Sequence, residues 1–392
     1  MKTKSSILLL FSALTYSVVF AQGAWTQKAN CGGPETNGAV GFSIDTKGYI
    51  MCGGPYCAVW EWEQTTNVWT QKTDYPQDDY YRAAGFSIGT KGYYGTGNPG
   101  AGCGNPGISY SVGTNSFYEF DPVANTWTAK ANVPVSTYAS VGFSIGSKGY
   151  IVGGGMNNCY EYDPSTDSWT AKTPYPGFGN QAMTAFSIGT KGYVGCGLLG
   201  TSYQNDFWEF DPVANTWAAK AAFGGTVRKG AVGFSIGTKG YIGTGFDGTT
   251  YYNDFWEWNQ STNVWTQKTN FGGTPREAAV GFSIGIKGYI GTGNVTNDFW
   301  EFDPSGIQGV EELKNIQGIT IYPNPASQML YVKLAQPLQY TTTLKIMDIS
   351  GRELLTQSAN RMKDIIQVDV AALPDGIYFI SIENSKRIFV KQ

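Results

Sequence analysis

The stretch Gly233-Phe-Ser-Ile-Gly-Thr-Lys-Gly-Tyr241 decides the fold, because the chain contains it six times with small changes. Successive copies are 44, 57, 43, 48 and 48 residues apart, and their phenylalanines are Phe42, Phe86, Phe143, Phe186, Phe234 and Phe282. A period of this length indicates repeated supersecondary units, each of which buries its apolar faces against its neighbours.

Two further motifs accompany the repeat. The string Trp-Thr/Ala-x-Lys lies 16 or 17 residues before each repeated phenylalanine, at Trp25, Trp69, Trp127, Trp169, Trp217 and Trp265. A glutamate next to aromatic residues occurs at Glu61, Glu119, Glu161, Glu209, Glu257 and Glu301. Both motifs suit short strands, because aromatic residues and period-two alternation favour β-structure.

Each unit therefore predicts four strands. They are Gly-Phe-Ser-Ile (a), Tyr-Ile-Gly-Thr-Gly (b), Phe-Trp-Glu-Phe (c) and Trp-Thr-x-Lys (d). Asp-Pro and Asn residues mark the c–d turn, and the glycine of Lys-Gly-Tyr is expected to supply a positive φ in the a–b turn. Four antiparallel strands in about 45 residues form one blade of a β-propeller.

The two ends of the repeat region complement each other. The region begins with an isolated strand d, Trp25-Thr-Gln-Lys28, and ends with an isolated strand c, Phe299-Trp-Glu-Phe302. We expect these strands to share the sixth blade, which closes the ring and removes the free sheet edges.

The repeat resembles the kelch repeat. Paired glycines follow strand b at Gly53-Gly54 and Gly153-Gly154, and an aromatic-Asp-Pro turn precedes the tryptophan of strand d at Phe120-Asp-Pro122 and Tyr162-Asp-Pro164. The resemblance covers about residues 23–304 and implies an all-β, six-bladed kelch-type propeller, similar to the catalytic domain of galactose oxidase, over residues 22–304.

Composition supports a β-rich chain and excludes several kinds of chemistry. Glycine accounts for 52 of 392 residues, and only 15% of the residues are charged, which suits short strands and tight turns. A net charge of −3 does not indicate the basic surface that nucleic-acid binding requires. The chain has no histidine, so a copper site of the galactose oxidase kind and a Ser-His-Asp triad are both excluded. We therefore predict no cofactor, no metal and no catalytic residue.

The N-terminus predicts export. Lys2 and Lys4 precede an apolar stretch that ends in Val19-Phe-Ala21, which has the pattern of a signal peptide (residues 1–21) removed after Ala21. We expect no transmembrane segment in the mature chain. Six cysteines in an exported protein can form disulfides in 15 ways, and no pairing is assigned to Cys31, Cys52, Cys57, Cys103, Cys159 and Cys196.

After a linker (residues 305–318), residues 319–392 show alternating strands and Asp-Gly or Ser-Gly turns, which predict a small β-sandwich. This segment resembles the C-terminal sorting domain of the type IX secretion system of Bacteroidetes, in Tyr322-Pro-Asn-Pro325, Asp348-Ile-Ser-Gly-Arg352 and Leu373-Pro-Asp-Gly-Ile-Tyr378. The resemblance implies that the secretion machinery is a partner. It also implies that this domain is removed and that the protein is secreted or attached to the outer-membrane surface.

The candidate site follows from what varies among the six copies. The b–c loops and the d–a connections vary greatly, and in a propeller both emerge on one face, where loops on a rigid scaffold carry recognition. We expect ligand contacts from Asp79, Tyr80, Tyr81, Arg82, Tyr203, Arg228, Asp247, Tyr251, Tyr252, Arg276 and Glu277. The glutamates and lysines present in every copy are expected to connect strands rather than to catalyse.

Two functional hypotheses follow. The first is a secreted or cell-surface module that binds glycan or protein ligands through aromatic stacking and polar side chains. The alternative is a metal-independent sugar-modifying enzyme that resembles the kelch-type sialic acid mutarotases or epimerases, using Arg228, Arg276 and either Glu277 or Asp79.

Overall fold

The computed structural model describes residues 22–51, 53, 58–77, 80–99, 113–306, 319–334, 341–348, 352–360, 364–382 and 385–392. These residues form β-strands and turns and contain no helix. The chain divides into two compact units, Met1–Gln308 and Gly309–Gln392. The predicted signal peptide and residues 307–318 of the predicted linker lie outside the described residues.

Among its described residues, the first unit contains 28 strands. The first five are β1 (Ala24–Gln27), β2 (Val40–Ile44), β3 (Lys47–Met51), β4 (Val59–Glu63) and β5 (Val68–Lys72). The next six are β6 (Tyr80–Tyr81), β7 (Ala84–Ile88), β8 (Lys91–Gly95), β9 (Asn98–Pro99), β10 (Phe117–Asp121) and β11 (Thr126–Ala129). Four more follow, β12 (Ser140–Ile145), β13 (Lys148–Gly153), β14 (Cys159–Asp163) and β15 (Ser168–Ala171).

The remaining strands of this unit repeat the same plan. The next six are β16 (Thr184–Ile188), β17 (Lys191–Gly195), β18 (Leu198–Leu199), β19 (Ser202–Tyr203), β20 (Phe207–Asp211) and β21 (Thr216–Ala219). The last seven are β22 (Val232–Ile236), β23 (Lys239–Gly243), β24 (Phe255–Asn259), β25 (Val264–Lys268), β26 (Val280–Ile284), β27 (Lys287–Gly291) and β28 (Phe299–Asp303).

These strands form six four-stranded antiparallel sheets, which are the predicted blades. In sheet order, blades 1 to 6 are β2-β3-β4-β5, β7-β8-β10-β11, β12-β13-β14-β15, β16-β17-β20-β21, β22-β23-β24-β25 and β26-β27-β28-β1. Each innermost strand neighbours the innermost strands of both adjacent blades, and β2 neighbours β26, so the ring is closed. The predicted all-β propeller is confirmed.

Blade 6 is completed by the N-terminal strand, as the sequence predicts. Strand β1 pairs with β28 in antiparallel register, which sets Trp25 opposite Phe302. The Trp25 ring also lies 5.0 Å from the ring of Phe255 and 5.1 Å from that of Phe271. Phe255 belongs to the preceding blade, and Phe271 lies in the connection that follows that blade. The closing strand therefore packs against the core between blades 5 and 6.

Tryptophans of strand d connect each blade to its neighbour. The indole N–H of Trp69 donates a hydrogen bond to the carbonyl of Ala29, just beyond the last strand of the preceding blade, at 2.9 Å. Equivalent bonds at 2.8–3.2 Å come from Trp25, Trp127, Trp169, Trp217 and Trp265. All six junctions between blades therefore carry the same bond.

The repeated glutamates tie three strands of a blade together. In blade 3 the hydroxyl of Tyr150 donates to Glu161 at 2.6 Å, and Lys172 lies 3.2 Å from the same carboxylate. The other five blades contain the same Tyr–Glu–Lys arrangement, through Glu61, Glu119, Glu209, Glu257 and Glu301. A set repeated in every blade serves the blade, in agreement with the expectation that these carboxylates connect strands.

The expected role of the Lys-Gly-Tyr glycine is wrong. The positive φ of the a–b turn belongs to an earlier residue, such as Gly146 (58°), whereas Gly149 is not in the left-handed region. A Cβ on Gly149 would lie 2.1 Å from the ring of Phe86 in the preceding blade. This glycine is present because a phenylalanine ring lies flat against the backbone there. The same contact recurs at Gly48, Gly92, Gly192, Gly240 and Gly288.

The second unit is a small two-sheet domain. Its strands are β29 (Ile319–Tyr322), β30 (Met329–Leu334), β31 (Thr342–Met347), β32 (Glu353–Ala359), β33 (Ile365–Asp369), β34 (Gly376–Ile382) and β35 (Ser385–Lys391). Their sheet orders are β29-β30-β33 and β32-β31-β34-β35. Both sheets contribute to one buried core, which includes Leu330, Val332, Leu344, Ile346 and Ile380. The predicted C-terminal β-domain is confirmed.

Closure by β1 can be tested with Trp25→Ala. We expect the free energy of unfolding of the propeller to fall by about 3 kcal/mol, because the variant loses aromatic packing at the closing strand. Chemical denaturation followed by tryptophan fluorescence measures this loss. Thr26→Ala, at an exposed position of the same strand, is the matched control with an expected change below about 0.5 kcal/mol. Equal effects of the two substitutions would contradict a closing role for Trp25.

Candidate functional site

The b–c loops and the d–a connections lie on one face, which we call the upper face. Isolated bridges join the two kinds of segment, and they are Thr36↔Thr296, Thr114↔Thr137, Gln181↔Leu198 and Lys229↔Phe246. The variable segments of the sequence therefore form one continuous surface over the blades.

At the centre of the upper face, six backbone hydrogen bonds form a closed cycle. The N–H of Arg82 donates to the carbonyl of Gly38 at 3.1 Å, and the N–H of Ala139 donates to the carbonyl of Arg82 at 2.9 Å. The cycle continues through Ala182, Gly230 and Ala278 and returns to Gly38, with distances of 2.8–3.2 Å. One residue from each blade takes part. We call these six residues the channel mouth: Gly38, Arg82, Ala139, Ala182, Gly230 and Ala278.

All six channel-mouth residues have a positive φ, between 49° and 72°. This left-handed conformation is unfavourable for residues other than glycine. Five of the six residues are Gly or Ala, and a cavity of about 110 Å³ lies between them and the residues that follow them in each blade. That space suffices for several water molecules or a small functional group.

Arg82 is the exception among the channel-mouth residues. Its guanidinium carbon lies 5.1 Å from the centroid of the Tyr81 ring, a cation–π contact. The Tyr81 ring in turn covers Gly38, where a Cβ would lie 2.8 Å from it. Tyr81 and Arg82 are both partly exposed, so the structure places these two predicted residues beside the central cavity.

A second group of predicted residues meets on blades 4 and 5. The Phe246 ring stacks on Tyr251, with centroids 4.5 Å apart, and meets Tyr203 edge-on at 6.3 Å. Next to them, the hydroxyl of Tyr252 donates to Asp247 at 2.6 Å. We call Tyr203, Phe246, Tyr251 and Tyr252 the blade 4–5 patch. Tyr251 is 43% exposed, so the patch presents an accessible aromatic surface.

Asp247 shapes the loop that carries the patch. Its carboxylate also accepts the backbone N–H groups of Thr249 and Thr250 at 2.8 and 2.7 Å. The Tyr252 hydroxyl and these two N–H groups lower the pKa of Asp247, because they stabilise its charged form. Asp247 is therefore ionised at neutral pH, and the patch has a fixed negative charge at its edge.

Arg228 and Arg276 do not lie on an accessible surface. Both residues are fully buried, and each guanidinium holds a carboxylate of the same blade with two hydrogen bonds. Arg228 binds Asp254 at 2.5 and 3.0 Å, and Arg276 binds Asp298 at 2.5 and 2.9 Å. The structure therefore gives both arginines an internal partner, contrary to their expected place among ligand contacts.

Blade 4 shows what happens without such an arginine. Asn180 occupies the position of Arg228, and the corresponding carboxylate, Asp206, has no arginine partner in the described residues; it accepts N–H groups from Phe178 at 2.9 Å and Trp208 at 3.0 Å. Burial raises the pKa of Asp206. Burial acts in the same direction on Asp298, but the hydrogen bonds from Arg276 and neighbouring groups outweigh it and lower the pKa of Asp298.

The remaining predicted residues differ in their surroundings. Glu277 is mostly buried and lies 3.5 Å from Lys229, whose ammonium group is also 5.6 Å from the Phe246 ring centroid. Asp79 and the side chain of Tyr80 lie outside the described residues. Lys229 thus contacts both Glu277, which directly precedes the channel-mouth residue Ala278, and Phe246 of the blade 4–5 patch. Neither Lys229 nor Phe246 was predicted, although their place in the variable connections was a usable signal.

In the part of the site that the structure describes, there is no arrangement for metal or thiol chemistry. Within the described ranges, no group of three or more potential ligands is placed to hold a metal ion. Cys31, Cys159 and Cys196 are free and buried, and burial raises the thiol pKa of Cys31 to about 11 and those of the other two to about 12. These three thiols are therefore protonated and inaccessible at neutral pH.

The ion pair of Arg276 can be tested by Arg276→Ala. We expect a loss of about 3–5 kcal/mol in the free energy of unfolding at pH 7, because Asp298 stays charged and partly buried without its partner. The depressed pKa of Asp298 contributes stability above the unfolded-state value of about 3.9, and this contribution is lost as pH falls through the folded-state value. The deficit of the variant should therefore shrink below about pH 4.

Urea denaturation at pH 7 and pH 3.5 measures the deficit of Arg276→Ala at both values. The double variant Arg276→Ala with Asp298→Asn is the control, and it should recover part of the loss at pH 7 because no charge remains buried. A deficit of the same size at both pH values would contradict this assignment.

The comparisons with known proteins agree with the two-unit organisation. Residues 320–392 match the family model of the secretion system C-terminal sorting domain. No curated protein matches the chain. The solved structure of YjhT is similar with a TM-score of 0.61 and 15% identity, over 69% of this chain and 95% of YjhT. At that identity the similarity concerns the fold alone. The described residues contain no helix that could span a membrane. The chain is thus a β-propeller followed by a sorting domain, which indicates export to the cell surface or secretion.

Proposed function

We propose that this chain is an exported binding module and that the blade 4–5 patch holds a glycan. The observation that carries the proposal is the accessible tyrosine of a preformed aromatic cluster, Tyr251, which is 43% exposed while its ring stacks on Phe246. Phe178 is more exposed, at 66%, but Tyr251 is the exposed aromatic side chain of the described propeller that belongs to a ring cluster.

The chemistry of the patch suits a sugar ring. An aromatic face packs against the apolar C–H face of a pyranose, while neighbouring polar groups hydrogen-bond its hydroxyl groups. Tyr203 and Tyr251 supply rings, and the Asp247 carboxylate beside Tyr252 and the Lys229 ammonium near Phe246 are available as polar contacts. Such a mixture of aromatic and polar groups is typical of a small-molecule or carbohydrate site.

The patch is also preorganised. Hydrogen bonds from Tyr252, Thr249 and Thr250 to Asp247 hold the b–c loop of blade 5, and the backbone bridge between Lys229 and Phe246 holds the neighbouring connection. A surface that is already ordered loses little conformational entropy when a ligand binds.

The enzymatic alternative receives no support from the described residues. It needs Arg228 and Arg276 to meet a substrate, but both guanidinium groups are buried and bonded to aspartates. Glu277 is also engaged, because it forms an ion pair with Lys229. The kelch resemblance, cleavage after Ala21, removal of the C-terminal domain, and release or surface attachment remain parts of the proposal.

The proposal is tested by Tyr251→Ala on a glycan array, followed by calorimetric titration of the best glycan. We expect the dissociation constant to rise at least about tenfold, because about 1.4 kcal/mol of stacking and burial is lost. Tyr251→Phe keeps the ring and should bind within about threefold of the wild type.

Val213→Ala is the control for this test, because it removes a side chain that is 92% exposed in a c–d turn on the opposite face. It should not change binding. Unchanged capture by Tyr251→Ala would overturn the assignment of the patch. Capture of peptides but of no glycan would overturn the glycan as the ligand.

A further inference from the structure

We propose that the channel mouth is a subsite for a carboxylate group and that the guanidinium of Arg82 binds this group. The inference rests on the proposed glycan-binding function and adds the charge of the ligand: the glycan carries an acidic sugar. Four observations on the described part of the propeller support it.

The first observation is that Arg82 differs from every other cation of the propeller. Residues 22–306 contain 16 lysines and arginines, and 15 of them lie within 4.0 Å of a carboxylate in the described residues. The structure shows no such carboxylate for Arg82 among the described residues, only the Tyr81 ring. Within the described residues, Arg82 is therefore the exception to a consistent pairing of cations with carboxylates, and it lies on the variable face.

The second observation is that Arg82 occupies a position that disfavours it. Its φ is 55°, and the equivalent residues of the other five blades are Gly or Ala. The Cβ of a residue other than glycine is strained in the left-handed conformation, and the longer arginine side chain gains no ion pair there among the described residues. Stability of the channel mouth therefore does not explain an arginine at this position, whereas ligand binding does.

The third observation is the cavity next to Arg82. It has a volume of about 110 Å³, and among the described residues that line it Arg82 is the only charged one. The six N–H groups of the channel mouth already donate to carbonyls within the cycle. A group that enters the cavity therefore finds one strong donor, the guanidinium, whose planar fork matches a carboxylate.

The fourth observation concerns the residues just before the channel mouth in each blade. Asn37, Tyr138 and Gln181 are partly exposed there, and the side-chain oxygen of Asn37 is buried without a hydrogen-bond partner in the described residues. The partly exposed side chains of Tyr138 and Gln181 can bind sugar hydroxyls around a carboxylate. The one negative charge at this level, Glu277, is balanced by Lys229 at 3.5 Å.

A carboxylate fits better than a phosphate monoester. One guanidinium balances one negative charge, and sites for doubly charged groups commonly combine several cations or a helix N-terminus. The second cation near the channel mouth, Lys229, is already paired with Glu277.

The experiment compares trigalacturonate with a neutral galactose trisaccharide by calorimetric titration of the full chain. We expect the wild type to bind the acidic trisaccharide at least tenfold more tightly, with an affinity that falls as salt is raised. Arg82→Gln should abolish the difference between the two sugars. Lys239→Gln makes the same charge change in a lower-face turn and should preserve it. An equal preference in Arg82→Gln and the wild type, or no preference in the wild type, would overturn the subsite.

Arg82→Gly separates a binding role from a structural one. Glycine is the residue of blades 1 and 5 at this position, so relief of strain should leave Tm equal to or above that of the wild type while the preference for the acidic sugar disappears. A fall in Tm of more than about 5 °C, which corresponds to more than 1 kcal/mol, would show that Arg82 supports the fold instead.

The outcomes also separate this inference from the proposed function. If both sugars bind and their binding depends on Tyr251 but not on Arg82, the glycan-binding patch is retained and the anionic subsite is overturned. If trigalacturonate binds and its binding depends on Arg82 but not on Tyr251, the subsite is retained and the glycan-binding patch is overturned.

Discussion

The propeller depends on one contact that is repeated six times, in which the phenylalanine ring of one blade lies against a bare glycine backbone of the next. A Cβ on Gly149 would approach the Phe86 ring to 2.1 Å, so the spacing between neighbouring blades leaves no room for even a methyl group. Because the contact runs around a closed ring, widening one junction would force the other five to adjust. The tryptophan bonds between blades and the hydrogen-bond cycle of the channel mouth both require this fixed spacing.

The same constraint explains why the sequence predicts the scaffold so well. A position that must fit the same junction in all six blades is occupied by the same residue type in all six repeats. The Trp, Phe, Gly, Tyr and Glu positions of each unit are of this kind. Closure by Trp25 followed from counting strands. The reason for the Lys-Gly-Tyr glycine could not be read from the pattern, because the ring that requires it comes from the neighbouring blade, and a local turn is the simpler interpretation of a glycine after Lys.

The site was less predictable, because the role of a side chain there depends on partners from a different segment. Arg82 and Arg276 both lie in d–a connections and look alike in sequence, yet Asp298 binds Arg276 and no described carboxylate binds Arg82. The Phe246 ring lies against both Tyr203 and Tyr251, and its place in a variable loop was the one sequence signal that pointed to it. Variation among the repeats thus located the face, and only the structure separated its accessible side chains from its internal pairs.

Closure by β1 also sets the order in which the molecule can mature. Ala24, near the start of the chain, pairs with Asp303, so every blade must be synthesised and translocated before the ring can shut. Until then β1 and blade 6 are incomplete sheets with open edges, which are exposed to pairing with other chains. Residues 320–392, the sorting domain, follow the last of these strands. A chain that presents its sorting domain therefore already carries every strand that the ring needs, which makes this domain a readout of a complete set of blades.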